Sequence, residues 1–555
     1  MRTQNRSSHP SPLIALLGCA MLTSFGLELP GRGGQGDPKG QGQQGPPQPR
    51  SYVFGAQFCS DCHGNPERYR DRQGEMICVM DEYKTWHEND GHEYAFYWPM
   101  NVPPTEEKAK DRRQQNGERF LLLAGQRAKK IANRLGVVDV VKSQACIPCH
   151  AVPVAGNVPT QYFVQRTEGV SCVACHGAAQ DWVLHHQAVN DPEWRVLTRE
   201  QKEQRYGMVD LWNPVTRATK CLSCHVGNAD EQKVITHAMY AAGHPPLPSI
   251  EVAAFSDEQP RHWKYQKEKL PQIQVLLGFN PNRLEQTELV AVSGIVTLRE
   301  SMRLFVAQAR SGAPAGGGWP DFARFDCSSC HHELVTTGPL AWRRARSSSG
   351  APGRPTVPNW PSVLVQIGIE AANPKLALQR TRQLEDDLRE FQLAMRAKPF
   401  GDCRRALRAA DRIIDQSQAI IRDLTDMTRV PPGTPGRIVD RSVALGLLHT
   451  LCAIVSGETL DYDSARQTTW AFRTIYQEVV PQAPREVQDT LEALDSELGL
   501  TLHRSPSQDP KQPNGIAQKP PIIETLAERL RSIAAYDPES LQRHFANLKK
   551  SLPRR

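Results

Sequence analysis

The sequence predicts a mainly α-helical protein with extensive loops and little sheet, built as two parts in succession. Three observations predict it. Five Cys-x-x-Cys-His sets fall between residues 51 and 345. Apolar residues recur at helical spacing through residues 362–503. Aromatic residues make up only 7% of the 555-residue chain, thin for filling so long a fold with side chains alone.

Taken in order, residues 1–29 read as an export signal, with Arg2 and Arg6 ahead of the apolar run PLIALLGCAML. That run is too short to span a bilayer comfortably. Within it Leu16-Leu17-Gly18-Cys19 looks like a lipobox, which would leave Cys19 as a lipidated first residue. The plainer alternative makes Cys19 one more small residue of the run, and Leu17 is not the favoured type at its place. Either way the mature protein is expected outside the cytoplasm, in the periplasm, attached to a membrane only through a lipid at Cys19. Residues 30–50 are rich in Gly, Gln and Pro and form a flexible linker. Residues 51–345 hold nearly all the cysteine and histidine. The polar loop RSSSGAPGRPTVPNWP, residues 346–361, closes that part. Within 362–503, Ala377, Leu384, Leu388, Phe391 and Met395 share one helical face, and Leu407, Ala410, Ile414, Ile421 and Leu424 share another. VPPGTPG interrupts the pattern at 430–436. Residues 504–521 form another linker, and 522–555 a terminal helical segment.

The five sets are CSDCH (59–63), CIPCH (146–150), CVACH (172–176), CLSCH (221–225) and CSSCH (327–331). Two thiols three positions apart can each add to a vinyl group of one porphyrin, and the histidine directly behind them is then held under the ring with its imidazole on the iron. A zinc site needs four ligands, which five separate Cys₂His triplets do not provide. A dithiol redox centre needs no trailing histidine and no repetition. The sequence therefore predicts five covalent haems c. They are attached through Cys59, Cys62, Cys146, Cys149, Cys172, Cys175, Cys221, Cys224, Cys327 and Cys330. The iron-binding imidazoles are His63, His150, His176, His225 and His331.

Thirteen of the seventeen histidines lie between residues 63 and 332. Besides the five proximal ones these are His87, His92, His185, His186, His237, His244, His262 and His332. Five irons each wanting a sixth ligand explain that crowding. The expected distal ligands are His92, His186, His237, His244 and His332, with His186 preferred over its neighbour His185. His237 and His244 are seven residues apart, two turns if the stretch is helical, with Pro245 and Pro246 as the stop. His332 cannot reach the iron that His331 holds, so it would serve a neighbouring haem. His87 and His262 read as ordinary hydrogen-bonded or solvated side chains.

The stretches EGVSCVACHG, CLSCHVGN…THAMYAAGHPPLP, WPDFARFDCSSCHHEL and WHENDGHEYAF resemble the multihaem cytochromes related to the tetrahaem cytochrome c of ammonia-oxidising bacteria, the cytochrome c-five-five-two/four domain family. The resemblance covers about residues 55–345. It implies closely stacked haems, mostly with two histidine ligands, passing electrons outside the cytoplasmic membrane. It also implies distal roles for His92, His186, His237 and His244. The chain departs from the family in its five haem motifs and its long helical C-terminal part.

Of the other cysteines, Cys78 has no evident partner. Cys403 and Cys452 lie on successive helices and either bridge or stay as buried thiols. The formal charge of +7 is interspersed, without the basic and aromatic interleaving of a nucleic-acid groove, and ten haem propionates would outweigh it. Two functions follow. One is an electron carrier or conduit between other redox proteins or within a respiratory complex. The other is an oxidoreductase with one open haem, acting on a small nitrogen or sulfur oxo-species such as hydroxylamine or nitrite. No Cys-x-x-Cys-Lys is present.

Overall fold

The computed structural model describes residues 54–67, 78, 80–96, 123, 125–152, 169–187, 192–277, 279–311, 319–331, 354–398, 400–428, 438–500 and 525–553. The chain divides into two units, 1–49 and 50–555, and the first lies wholly outside the described residues. The export signal at 1–29, the linkers at 30–50 and 504–521, VPPGTPG and His332 also fall outside them. The described residues are mainly helical, with no strand among them and one isolated bridge, Asn228 to Lys233. None of their helices is long and apolar enough to cross a membrane.

The helix Glu285–Arg310 lies inside the core and is buried on nearly all sides from Gln286 to Val306. No side chain of its own caps the N-terminus. The carboxylate of Glu478, on the helix Tyr462–Val479, accepts the Gln286 and Thr287 amides at 3.1 and 2.7 Å instead. An anion there answers both the unpaired N–H groups and the positive end of the helix dipole. Gly294 and Gly368 let this helix and Val365–Ala372 cross closely. A Cβ on Gly294 would stand 2.9 Å from the Leu364 Cβ, and one on Gly368 2.6 Å from the Ala291 carbonyl oxygen.

Around this crossing pack Ala377–Arg396, Cys403–Thr428, Arg441–Gly457, Tyr462–Val479 and Pro538–Lys550, contributing Leu384, Met395, Ile413, Leu448, Phe472 and Phe545 to one continuous cluster. Of the two faces read from the sequence, Leu384, Phe391, Met395, Ala410, Ile421 and Leu424 are buried, and Ala377, Leu388, Leu407 and Ile414 are partly covered. The terminal segment is two helices, Leu526–Ala535 and Pro538–Lys550, parted where Asp537 caps the second. The boundary at 346–361 divides the sequence but not this core. Helices Pro214–His225 and Glu285–Arg310, both from the cysteine-rich part, contribute Leu222, Ile295 and Leu298 to the same cluster as the C-terminal helices. Cys403 and Cys452 are both free thiols, Cys452 buried in the interior, so the bridge weighed between them does not form.

Candidate functional site

Four Cys-x-x-Cys-His sets end short helices at the motif histidine: Ala56–His63, Ile147–His150, Cys172–His176 and Pro214–His225. The fifth is a 3-10 turn, Cys327–Ser329, capped by Asp326, whose carboxylate accepts the Ser328 amide at 2.8 Å. One helical turn places the two thiols on the same side, which a pair of thioethers to one ring edge requires. The helix before CLSCH starts cleanly because Asn213 accepts the Val215 and Thr216 amides and Pro214 takes the first helical position. Gly177, directly behind CVACH, has φ +89°, and a Cβ there would meet the Gly207 carbonyl oxygen at 2.2 Å. No other residue type fits that position without moving the chain.

The structure then brings motif histidines opposite histidines from elsewhere in the sequence. The His63 and His186 ring centroids are 6.0 Å apart, with planes within 9°. His150 stands 6.3 Å from His244, His225 6.4 Å from His92, and His331 6.4 Å from His237. Direct stacking would bring such rings closer. An iron bound at about 2.0 Å by each imidazole nitrogen, with each ring centre about 1.2 Å behind its nitrogen, requires roughly 6.3 Å. The four spacings fit one iron between each pair.

Ring orientation fits as well. Nδ1 of His63 lies 3.0 Å from the Glu82 carboxylate, and Nδ1 of His92 lies 2.9 Å from that of Asp90. Nδ1 of His150 faces the Ala95 carbonyl at 2.9 Å, and Nδ1 of His244 the Pro245 carbonyl at 2.7 Å. Engaging Nδ1 fixes the tautomer and leaves Nε2 for a metal, the usual support of a ligating histidine. Burial lowers the pKa of His176, His186, His225 and His244 to about 4, which keeps them in the neutral form that binds metal. His63 is raised, chiefly by its hydrogen bond to Glu82. His92 is raised too: burial opposes its charge, but Asp90 outweighs it.

No family model matches this chain. Nor does any curated protein or any solved structure. The likeness to the cytochrome family thus rests on the quoted motifs alone.

His185, the alternative to His186, stacks on Trp194 and lies 4.6 Å from the Tyr206 ring. His87 stacks on Tyr83 and places Nδ1 3.1 Å from Glu93. His237 and His244 do not share a helix face. The helix His237–Ala242 ends at Gly243, in the left-handed region, and the two rings turn to different partners, His331 and His150. Glu82 and Asp90 went unremarked in the sequence. Their signal was the acidic setting of DEYKTWHENDGH around two histidines. Cys78 lies in a group with His63 and Glu82 whose ligand atoms are all within 4.8 Å of one another, and burial pushes its thiol up to about 11.

Attachment sites also adjoin. The Cys149 and Cys224 thiols, from the second and fourth motifs, lie close enough to shift one another's ionisation, Cys149 upward and Cys224 downward. A solvent-open pocket is lined by residues that include His225, Cys327, Tyr240, Leu298, Arg324 and Arg529. The Arg324 Nε in its wall is buried and has no hydrogen-bond partner among the described residues. Such a cradle with an unanswered guanidinium nitrogen suits a porphyrin and its carboxylates.

Proposed function

We propose that this protein is an exported multihaem c-type cytochrome that carries electrons between redox partners. The observation that supports it most is the set of four histidine pairs at 6.0–6.4 Å, each joining a Cys-x-x-Cys-His imidazole to a second one. Haem held between two imidazoles supplies an iron that exchanges one electron with little change in its surroundings. The chain's residues do the rest. Ten cysteines tether the five groups, and His63, His150, His176, His225 and His331 bind from one side. His92, His186, His237 and His244 bind from the other, with Asp90 holding the His92 ring and Glu82 the His63 ring. Adjoining motifs, such as the second and fourth through Cys149 and Cys224, give short steps for an electron. On this reading the chain is related to the cytochrome c-five-five-two/four domain family. It works in the periplasm, free or lipid-anchored at Cys19, and its partners are redox proteins or a respiratory complex.

The test is a spectroelectrochemical titration of purified holoprotein, with and without hydroxylamine or nitrite. Reversible one-electron waves from five haems, unchanged by either compound, are expected. Catalytic current with either compound would favour the oxidoreductase with an open haem.

A further inference from the structure

We infer that the C-terminal helices wall the seat of the haem tethered at Cys327, and that Arg529 is a fixed positive charge which holds that haem's reduction potential up. This rests on the haem reading above and gives the helical part beyond residue 362 a share in the redox site.

The tether fixes where the ring lies. In a thioether only one carbon separates the cysteine sulfur from the pyrrole edge, so a ring on Cys327 occupies the space that Cys327 lines. That space is the solvent-open pocket already described. One wall is the buried helix Glu285–Arg310, with Leu298, Met302 and Phe305 on successive turns of one face. Another comes from the C-terminal part: Leu388 and Phe391 of Ala377–Arg396, and Arg529 and Ile533 of Leu526–Ala535. Such apolar walls suit a flat ring, and they are drawn from both parts of the chain.

A second set of contacts joins the two parts. His225, the imidazole of the fourth motif, lines the same pocket and stands 6.3 Å from the Phe255 ring. Phe255 in turn meets Trp470 of Tyr462–Val479 edge-on at 5.3 Å. A single phenyl ring thus separates the fourth motif's imidazole from the C-terminal helices.

Arg529 is held in place. A capping box of Thr525 and Glu528 starts its helix, and the Tyr536 hydroxyl at the far end donates to the Leu460 carbonyl at 3.1 Å. Arg529 donates to Asp463 at 2.6 Å, and the other Asp463 oxygen accepts the Ser249 hydroxyl at 3.3 Å. Only 6% of Arg529 is exposed, so water and salt screen its charge little. The charged side chains that line the pocket are Arg324 and Arg529 against Asp326, Asp461 and Asp463. Removing one guanidinium leaves three carboxylates facing the other, which stabilises the more positive ferric iron and lowers the potential.

The test uses holoprotein. A pyridine haemochrome assay first counts the haems: fewer than five per chain would defeat the haem reading itself, independently of Arg529. With five present, potentiometric titration of Arg529→Gln is expected to show one of the five potentials lowered. Arg529→Lys, which keeps the charge, is expected to leave it in place. Ile533→Lys keeps the Arg529–Asp463 pair and brings a new positive charge into the same wall, so it is expected to raise that potential. In a chain carrying Cys327→Ser and Cys330→Ser, with four haems, Arg529→Gln is expected to shift none of them. Five potentials unmoved by both Arg529→Gln and Ile533→Lys would overturn the inference. So would a shift that persists in the four-haem chain, which would place another haem at this wall.

Discussion

Between residues 54 and 211 most of the described buried apolar side chains fall into two small clusters. One gathers Val152, Val173, Ala179, Trp182, Val183 and Trp194, and the other Phe96, Leu123, Ala132, Val140 and Ala151. Between residues 285 and 550 they form one continuous cluster, from Leu289 through Met395 and Phe472 to Leu548. Three of the four histidine pairs draw at least one ring from the first region, and the fourth, His237 with His331, draws none. Burial of apolar surface is the main force holding a chain folded, so a region with little of it needs another source. A large apolar cofactor fixed at several points would supply one. On the proposed function the two regions are stabilised by different means, although the helices Pro214–His225 and Glu285–Arg310 tie the Cys-x-x-Cys-His motifs into the side-chain core.

The largest expected effect is on the chain made without haem attachment. Limited proteolysis should cut it freely between residues 54 and 211 while the packed helices between 362 and 500 stay uncut. Equal resistance in both regions would break the contrast. Next, Phe472→Ala, which empties a fully buried site beside Tyr476 and Phe545, should cost about 3–5 kcal/mol in denaturant unfolding. Val173→Ala in the smaller cluster should cost only roughly 1–2 kcal/mol. His186→Ala should turn one low-spin iron of the holoprotein high-spin, whereas His185→Ala should leave the spectrum as it was. A reversed result would move the distal ligand by one residue.

Smaller still is the effect of Glu82. A carboxylate on Nδ1 makes His63 a more basic ligand and favours oxidised iron, so Glu82→Gln should raise one haem potential. The shift should be on the order of tens of millivolts, given about 59 mV per tenfold change for one electron. A pH dependence is set by Glu251. Burial raises its carboxyl from 4.5 to about 7, although the Ala253 and Ala254 amides donate to it. Below pH 4.5 both folded and unfolded forms hold the proton and its contribution is complete. Between 4.5 and 7 the unfolded chain loses the proton first, so stability falls as pH rises, and above 7 the trend levels. Glu251→Gln should remove that slope in melting temperature against pH.

Helix content and the repeated motifs were legible because each has a local signature: 3.6-residue periodicity at Leu384–Phe391–Met395, and fixed spacing at each Cys-x-x-Cys-His. His92, His186, His237 and His244 stood out through the local excess of histidine. Which of them faces which motif did not, since His63 meets a ring 123 positions away by numbering. That pairing depends on chain crossings that no short window contains. The central place of Glu285–Arg310 was hidden for a related reason. A helix buried on nearly all sides, with Glu288, Arg299 and Glu300 buried through partners such as Arg283 and Gln418, lacks the one-sided apolar stripe that marks a surface helix. The supporting carboxylates Glu82 and Asp90 carry no spacing rule at all, and only their contacts with His63 and His92 single them out.

Intact-protein mass spectrometry of the purified native chain tests the central claim most directly. The account predicts the polypeptide mass plus five haem increments that survive denaturation, with the ten motif cysteines blocked to thiol reagents. A mass equal to the bare polypeptide, with those ten thiols free to react, would contradict it.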